Sequence, residues 1–198
     1  DSHRGYDIGI LPFAERIAAR FDAPLLSSTV SRLLVDLNRS LASRSLFSEM
    51  TRNLSQEERL HILRFYHQPY WKSAAEIVAG IVADGCQVLH LSMHSFTPVL
   101  NGQLRNADLG LLYDPNRTAE TSLCLQWKKS LTVRCPQLRV RRNYPYRGNA
   151  DALVTALRKQ FSARDYLGIE LEVNQCLPLS NTSRWQQVQD ELLAILAN

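Results

Sequence analysis

The side chains best suited to chemistry fall in a few short segments. In Met93-His94-Ser95-Phe96-Thr97-Pro98 a histidine follows the apolar run Cys86 to Met93, which reads as a buried strand. A histidine at such a strand end can present a ring nitrogen to a metal ion in a cleft, and it equally suits a structural role. At the chain start, Ser2-His3-Arg4-Gly5-Tyr6-Asp7 sets His3 and Asp7 four residues apart. That spacing places both on one side of a helical turn, as two ligands of one ion require. Asp7 would also stabilise a helix start through the helix dipole.

Further along, Ser31 to Arg39 reads as an apolar strand ending in Asp36, Asn38 and Arg39. The planar fork of an arginine and the amide of an asparagine suit a carboxylate ligand; a surface ion pair is the plainer alternative. In Gly168-Ile169-Glu170-Leu171-Glu172-Val173-Asn174 the two glutamates share one face of a strand. Like charges inside a sheet protein are costly unless solvated, paired or used, which marks at least one of Glu170 and Glu172 as a candidate working carboxylate.

Alternating elements must position these groups. The spacing predicts a helix over Asp7 to Phe21 and an extended segment over Leu25 to Leu37. Ser55 to Glu58 has the form of a capping box opening a helix to Tyr66, and Pro69 to Ala83 reads as a second helix after a proline break. Beyond the His94 strand, Leu109 to Tyr113, Leu138 to Arg142 and Tyr166 to Asn174 read as strands. Thr118 to Leu131, Asn149 to Phe161 and Asn181 to Ala197 read as helices. Strands separated by helices argue for an α/β fold with a sheet covered on both faces, and such folds place ligands beyond the carboxyl ends of their strands.

The chain has 198 residues, 45% of them apolar, enough for one substantial core, so a single domain is expected. No apolar run approaches a membrane span, and the first residues carry no signal-peptide core. The cysteines, Cys86, Cys124, Cys135 and Cys176, form no CxxC pair and read as free thiols, which suits a cytoplasmic location. A net charge of +4 with dispersed arginines gives no nucleic-acid footprint and fits anionic small molecules. His61, His67 and His90 read as structural or exposed, and the tryptophans as packing residues.

Taken together and in order, SHRGYDIG, VSRLLVDLNRS, HSFTPVLNGQLRNADLGLLYDP, VRRNYPYRG and GIELEVNQ resemble the N-formylglutamate amidohydrolase family over nearly the whole chain. The resemblance implies a zinc carboxypeptidase-like α/β fold with a mixed sheet, one zinc ion, an activated water and a glutamate base. His94 matches the family's late zinc histidine, and His3 or Asp7 an earlier ligand, with His3 preferred. Asn38 and Arg39 match the pair that holds the substrate carboxylate, Arg32 the arginine near the oxyanion, and Glu172 the base, with Glu170 the alternative. Arg105 and Tyr144 lie in family blocks and are expected to line the pocket. The family more often has an arginine where Asn174 stands, and it carries an upstream histidine-glycine motif, so the chain is expected to lack the family's extreme N-terminal segment.

The implied activity is hydrolysis of an N-acyl acidic amino acid, N-formyl-L-glutamate first. A different N-acyl amino acid or peptide is the alternative substrate, and a non-catalytic binding protein the alternative class. The expected partner is a small molecule rather than a nucleic acid or a membrane. The oligomeric state is left open.

Overall fold

A computed structural model describes residues 5–180 and 182–197. The backbone divides into two compact units interleaved along the chain. The first contains Leu26–Leu89 and Asp151–Leu167 with Gly5 and Tyr6; the second contains Asp7–Leu25, His90–Ala150 and the chain from Gly168.

In the second unit, helix α1 (Leu11–Phe21) has its proline in the first turn, where the missing N–H costs nothing, and ends at Asp22 in the left-handed region. In the first unit, α2 (Gln56–Ile62) opens on the capping box of Ser55 and Glu58 as the sequence predicts. Helix α3 (Gln68–Ala83) follows without a break. A π-helical turn over Leu63–His67, with the Gln68 N–H bonded to the Leu63 carbonyl, carries the helix past Pro69 instead.

The remaining elements are β1 (Val88–Phe96), the short strands β2 (Val99–Leu100) and β3 (Gln103–Leu104), β4 (Leu109–Leu112), α4 (Thr118–Arg134), β5 (Val140–Arg142), α5 (Leu153–Gln160), β6 (Tyr166–Asn174), α6 (Cys176–Ser180) and α7 (Thr182–Leu196). The main sheet has the order β1-β6-β4-β5. Val88 N–H donates to the Asp165 carbonyl and Gln175 N–H to the Phe96 carbonyl, so β1 and β6 run the same way. β4 is antiparallel to β6 and parallel to β5. The fold is therefore α/β with a mixed sheet flanked by helices.

β6 is buried along its whole length, and its alternation sorts the side chains. Ile169, Leu171 and Val173 join Leu109, Leu111 and Val140 in a core with Phe13 and Ile17 of α1, Trp127 and Leu131 of α4, and Val188 and Leu192 of α7. Burying each such aliphatic side chain contributes about 1.5–3 kcal/mol, which pins the register and turns Glu170, Glu172 and Asn174 to the other face.

The first unit has its own cores. One packs α3 through Ala74 and Val78 against Leu153 and Leu157 of α5, with Val88 and Tyr166. The other gathers Val35, Leu46 and Ile62. This small core corrects the expected extended segment over residues 25–37, which forms no strand and turns at residues 32–34. Ser48 and Thr51 hydroxyls donate to the Leu33 and Leu34 carbonyls, and Asp36 N–H donates to the Leu46 carbonyl. The apolar residues that suggested a strand are anchors of a folded loop whose backbone groups are met locally.

None of the four cysteines forms a disulfide; Cys86 is exposed, whereas Cys124 and Cys135 are buried. Among the described residues no helix is long and apolar enough to cross a membrane.

Candidate active site

The face of the sheet turned away from the aliphatic core carries the acidic groups. Period-two alternation puts Ser92, His94 and Phe96 on one side of β1 and Glu170 and Glu172 on one side of β6. His94 Nε2 lies 3.0 Å from Ser92 Oγ and 3.9 Å from Glu170 Oε2, and His94 Nδ1 lies 3.3 Å from Asp7 Oδ2. The second oxygen of Asp7 accepts the Ser95 N–H at 3.0 Å.

Asp7 reaches β1 from the turn that precedes α1 rather than from within the expected helix. Gly9, at φ +74°, lets this turn close against Pro178, since a Cβ there would sit 2.3 Å from the Pro178 Cβ. Burial alone would depress the His94 pKa. The hydrogen bond and charge of Asp7, with the charges of Glu172 and Glu170, outweigh it and raise the value to about 9. Three acidic side chains thus surround one imidazole, an environment that favours a cation.

The donor types fit a divalent ion such as zinc, which binds imidazole and carboxylate. Two ligands of one tetrahedral zinc stand roughly 3.3–3.5 Å apart, given metal–ligand distances of about 2.0–2.2 Å. The 3.3 Å between His94 Nδ1 and Asp7 Oδ2 matches that spacing. The pair does not complete a ligand set: among the described residues no group of three or more His, Cys, Asp or Glu side chains is arranged to hold a metal. His3, the other expected ligand, lies outside the described residues.

Two loops border this face. Gly110 pairs with Glu172 across β4 and β6, and a Cβ on it would meet the Tyr144 carbonyl at 2.0 Å. Only glycine lets the Tyr144-Pro145-Tyr146 loop lie directly on the sheet there. Tyr144 stacks under the Arg141 guanidinium, 4.1 Å from its ring. Arg105 stands at the end of the β2–β3 hairpin, 5.8 Å from the Phe96 ring and 5.1 Å from that of Tyr146. Arg105 and Tyr144 therefore belong to the same unit as His94, Asp7, Glu170 and Glu172.

Arg32, Asn38 and Arg39 belong to the first unit, where Asp36 organises them. Its Oδ2 lies 3.4 Å from Arg32 Nη2 and 3.9 Å from Arg39 Nε, and its Oδ1 accepts the Asn38 N–H at 3.0 Å. The Asn38 side-chain oxygen accepts the Leu153 N–H at 3.0 Å, meeting a donor at the start of α5, and Arg39 Nη1 donates to the Asp151 carbonyl. From the other side His67 Nε2 contacts the Arg39 carbonyl at 2.7 Å and Trp71 Nε1 donates to the Leu37 carbonyl at 2.7 Å.

The sequence names Asp36 without its role and gives no part to Ser92 or Gly110, whereas His67 and Trp71 are the structural and packing residues it indicates, with the Arg39 and Leu37 carbonyls as partners. Ser92 had a signal, being two residues before His94 on a strand. The partner of His67 had none, because Arg39 is 28 residues away.

Comparison with known proteins bears on the fold and the family. The structure is similar to that of a gene product of Agrobacterium tumefaciens, with a TM-score of 0.82 and 27% identity over 100% of this chain and 78% of that one. It shares its fold with an N-formylglutamate amidohydrolase from Ralstonia eutropha, with a TM-score of 0.63 and 19% identity over 98% and 86% of the two chains. No curated protein sequence gives a significant match. The family model described as N-formylglutamate amidohydrolase matches residues 1–178, the span that contains His94, the glutamates of β6 and the loop around Asp36, and the chain belongs to that family.

Proposed function

We propose that the protein hydrolyses the amide bond of an N-acyl acidic amino acid, N-formyl-L-glutamate being the first candidate, in a zinc-assisted reaction. The observation that carries this reading is the placement of His94 between Asp7 and Glu170, with Glu172 on the same sheet face. His94 and Asp7, with His3, are the residues that would hold zinc. When bound, zinc supplies a water whose pKa is lowered toward about 7 and an electrophile for the acyl carbonyl.

Glu172 is the proposed base. Its carboxylate takes the proton of the attacking water and returns it to the leaving nitrogen, so that the C–N bond breaks to give a carboxylic acid and a free amino acid. Glu170, two residues earlier, helps hold the His94 ring through its Nε2 side. In the first unit, Arg39 and Asn38 are proposed to take a carboxylate and Arg32 a developing oxyanion. Support for these roles is local: Asp36 holds both guanidinium groups in place, and the oxygen of the Asn38 amide is occupied by Leu153 N–H.

The test is metal content together with formate release from N-formyl-L-glutamate by the full-length chain, with Glu172→Gln as control. About one zinc per chain, and release reduced by a factor of 100 or more in the variant, is the expected result. Protein that binds no zinc under any loading condition would defeat the metalloenzyme reading. Zinc binding without turnover of any N-acyl amino acid would defeat the catalytic one.

A further inference from the structure

We propose that Arg105 is a specificity-determining residue that receives the side-chain carboxylate of the substrate; this rests on the amidohydrolase reading. The local structure exists to bring this residue back to β1. Asn101 and Gly102 both have positive φ, 51° and 76°, the requirement of a tight hairpin turn whose twist matches its strands. The turn registers Val99 with Leu104 and Leu100 with Gln103, and Arg105 N–H then donates to the Pro98 carbonyl at 2.8 Å. The guanidinium is thereby returned to Phe96, 5.8 Å from its ring.

Phe96 shares the face of β1 with His94, two residues and so roughly 7 Å along the strand. Tyr146 closes on Arg105 from the other loop at 5.1 Å, its approach permitted by Gly110 under Tyr144. Neither contact uses an N–H. A guanidinium held against rings keeps its N–H groups for an anion, and a carboxylate can match them with two parallel bonds.

Three other arginines of the same unit are paired with acids, Arg139 with Asp108, Arg134 with Glu191 and Arg16 with Asp190, while Arg141 lies over the Tyr144 ring and Arg142 donates to the Tyr113 hydroxyl. Among the described residues Arg105 has the two rings and its backbone bond, and no acidic partner. The face therefore has a polarity. Asp7, Glu170 and Glu172 repel an anion at the His94 end, and Arg105 attracts one at the Phe96 end, so a substrate with an acidic side chain is oriented with that side chain away from the reacting carbons. A neutral side chain of the same length gains nothing from Arg105.

The experiment compares N-formyl-L-glutamate with the near-isosteric N-formyl-L-glutamine on the wild-type chain, Arg105→Gln and Arg105→Lys. Both kcat and KM are measured, along with equilibrium binding by calorimetry. In Arg105→Gln we expect KM for the glutamate substrate to rise about 10- to 100-fold, kcat to change little, and the glutamine substrate to be unaffected; Arg105→Lys recovers part of the loss. A parallel fall for both substrates, or no fall for either, overturns the proposal. Calorimetry separates it from the reading beneath it. Wild-type protein that binds the two ligands equally overturns the role of Arg105 whether or not it turns them over. Preferential binding of the diacid that vanishes in Arg105→Gln supports the role, even where absence of turnover has defeated the hydrolase reading.

Discussion

His67 and Arg39 are joined through a single buried contact, the imidazole Nε2 lying 2.7 Å from the arginine carbonyl. The ring stacks on Trp71 at 4.9 Å, and Trp71 in turn donates to the Leu37 carbonyl, so one helical turn fixes the backbone on both sides of Asn38. His67→Ala or Trp71→Phe leaves a carbonyl unmet, and each is expected to cost about 1–3 kcal/mol of stability. Chemical denaturation checks this, and a change under about 0.5 kcal/mol for both would show the clamp to be idle.

Asn38 permits a separation of scaffold from ligand binding. Asn38→Asp keeps an oxygen for the Leu153 N–H, beside a helix start that favours negative charge, but removes the amide donor and repels a carboxylate. KM for an acidic substrate should rise about 10- to 100-fold, and thermal unfolding measured alongside reports the scaffold role. Unchanged KM would place Asn38 in the scaffold alone.

Gly110 has no room for a methyl group, because the Tyr144 carbonyl occupies the position at 2.0 Å and the Glu172 Cβ lies at 3.2 Å. Gly110→Ala should therefore lower stability by about 1–3 kcal/mol and disturb the Tyr144 loop and Glu172 together. Thermal unfolding and the rate of formate release report the two effects; wild-type values in both would refute the close approach.

Asp108 sets an acid limit. It is almost fully buried, which alone would raise its pKa, but bonds from Arg139 and the charges of Arg139 and Arg184 hold the carboxyl below its ordinary value. A group depressed in the folded state stabilises fully above its unfolded pKa, near pH 4, and loses that contribution as pH falls through the folded value. Asp108→Asn should thus lower stability at pH 7 by about 1–3 kcal/mol and flatten the acid limb of the stability profile. An acid limb as steep as that of the wild type would assign acid sensitivity to other carboxylates.

Much of this protein was legible without coordinates where the information is periodic and local. The alternation in Ile169-Glu170-Leu171-Glu172-Val173 determined both the strand and the acidic face, because one residue of slippage would bury the glutamates among the aliphatic side chains of α4 and α7. Ser55 and Glu58 likewise specified a helix start, since both partners of the capping box lie within one turn.

Only tertiary structure decided the rest. Residues 25–37 have strand-like composition, yet no strand forms there: the chain turns at residues 32–34, Val35 finds a core with Leu46 and Ile62, and hydroxyls of Ser48 and Thr51 meet carbonyls that a neighbouring strand would otherwise pair. Asp7 gained its place against His94 from a turn packed on Pro178, 171 residues away in number but adjacent in space, through the missing side chain of Gly9. Contacts between residues so distant in the chain depend on loop closure and packing that leave no periodic trace in the sequence, which is why residue types announced the chemistry and the fold alone decided which of them meet.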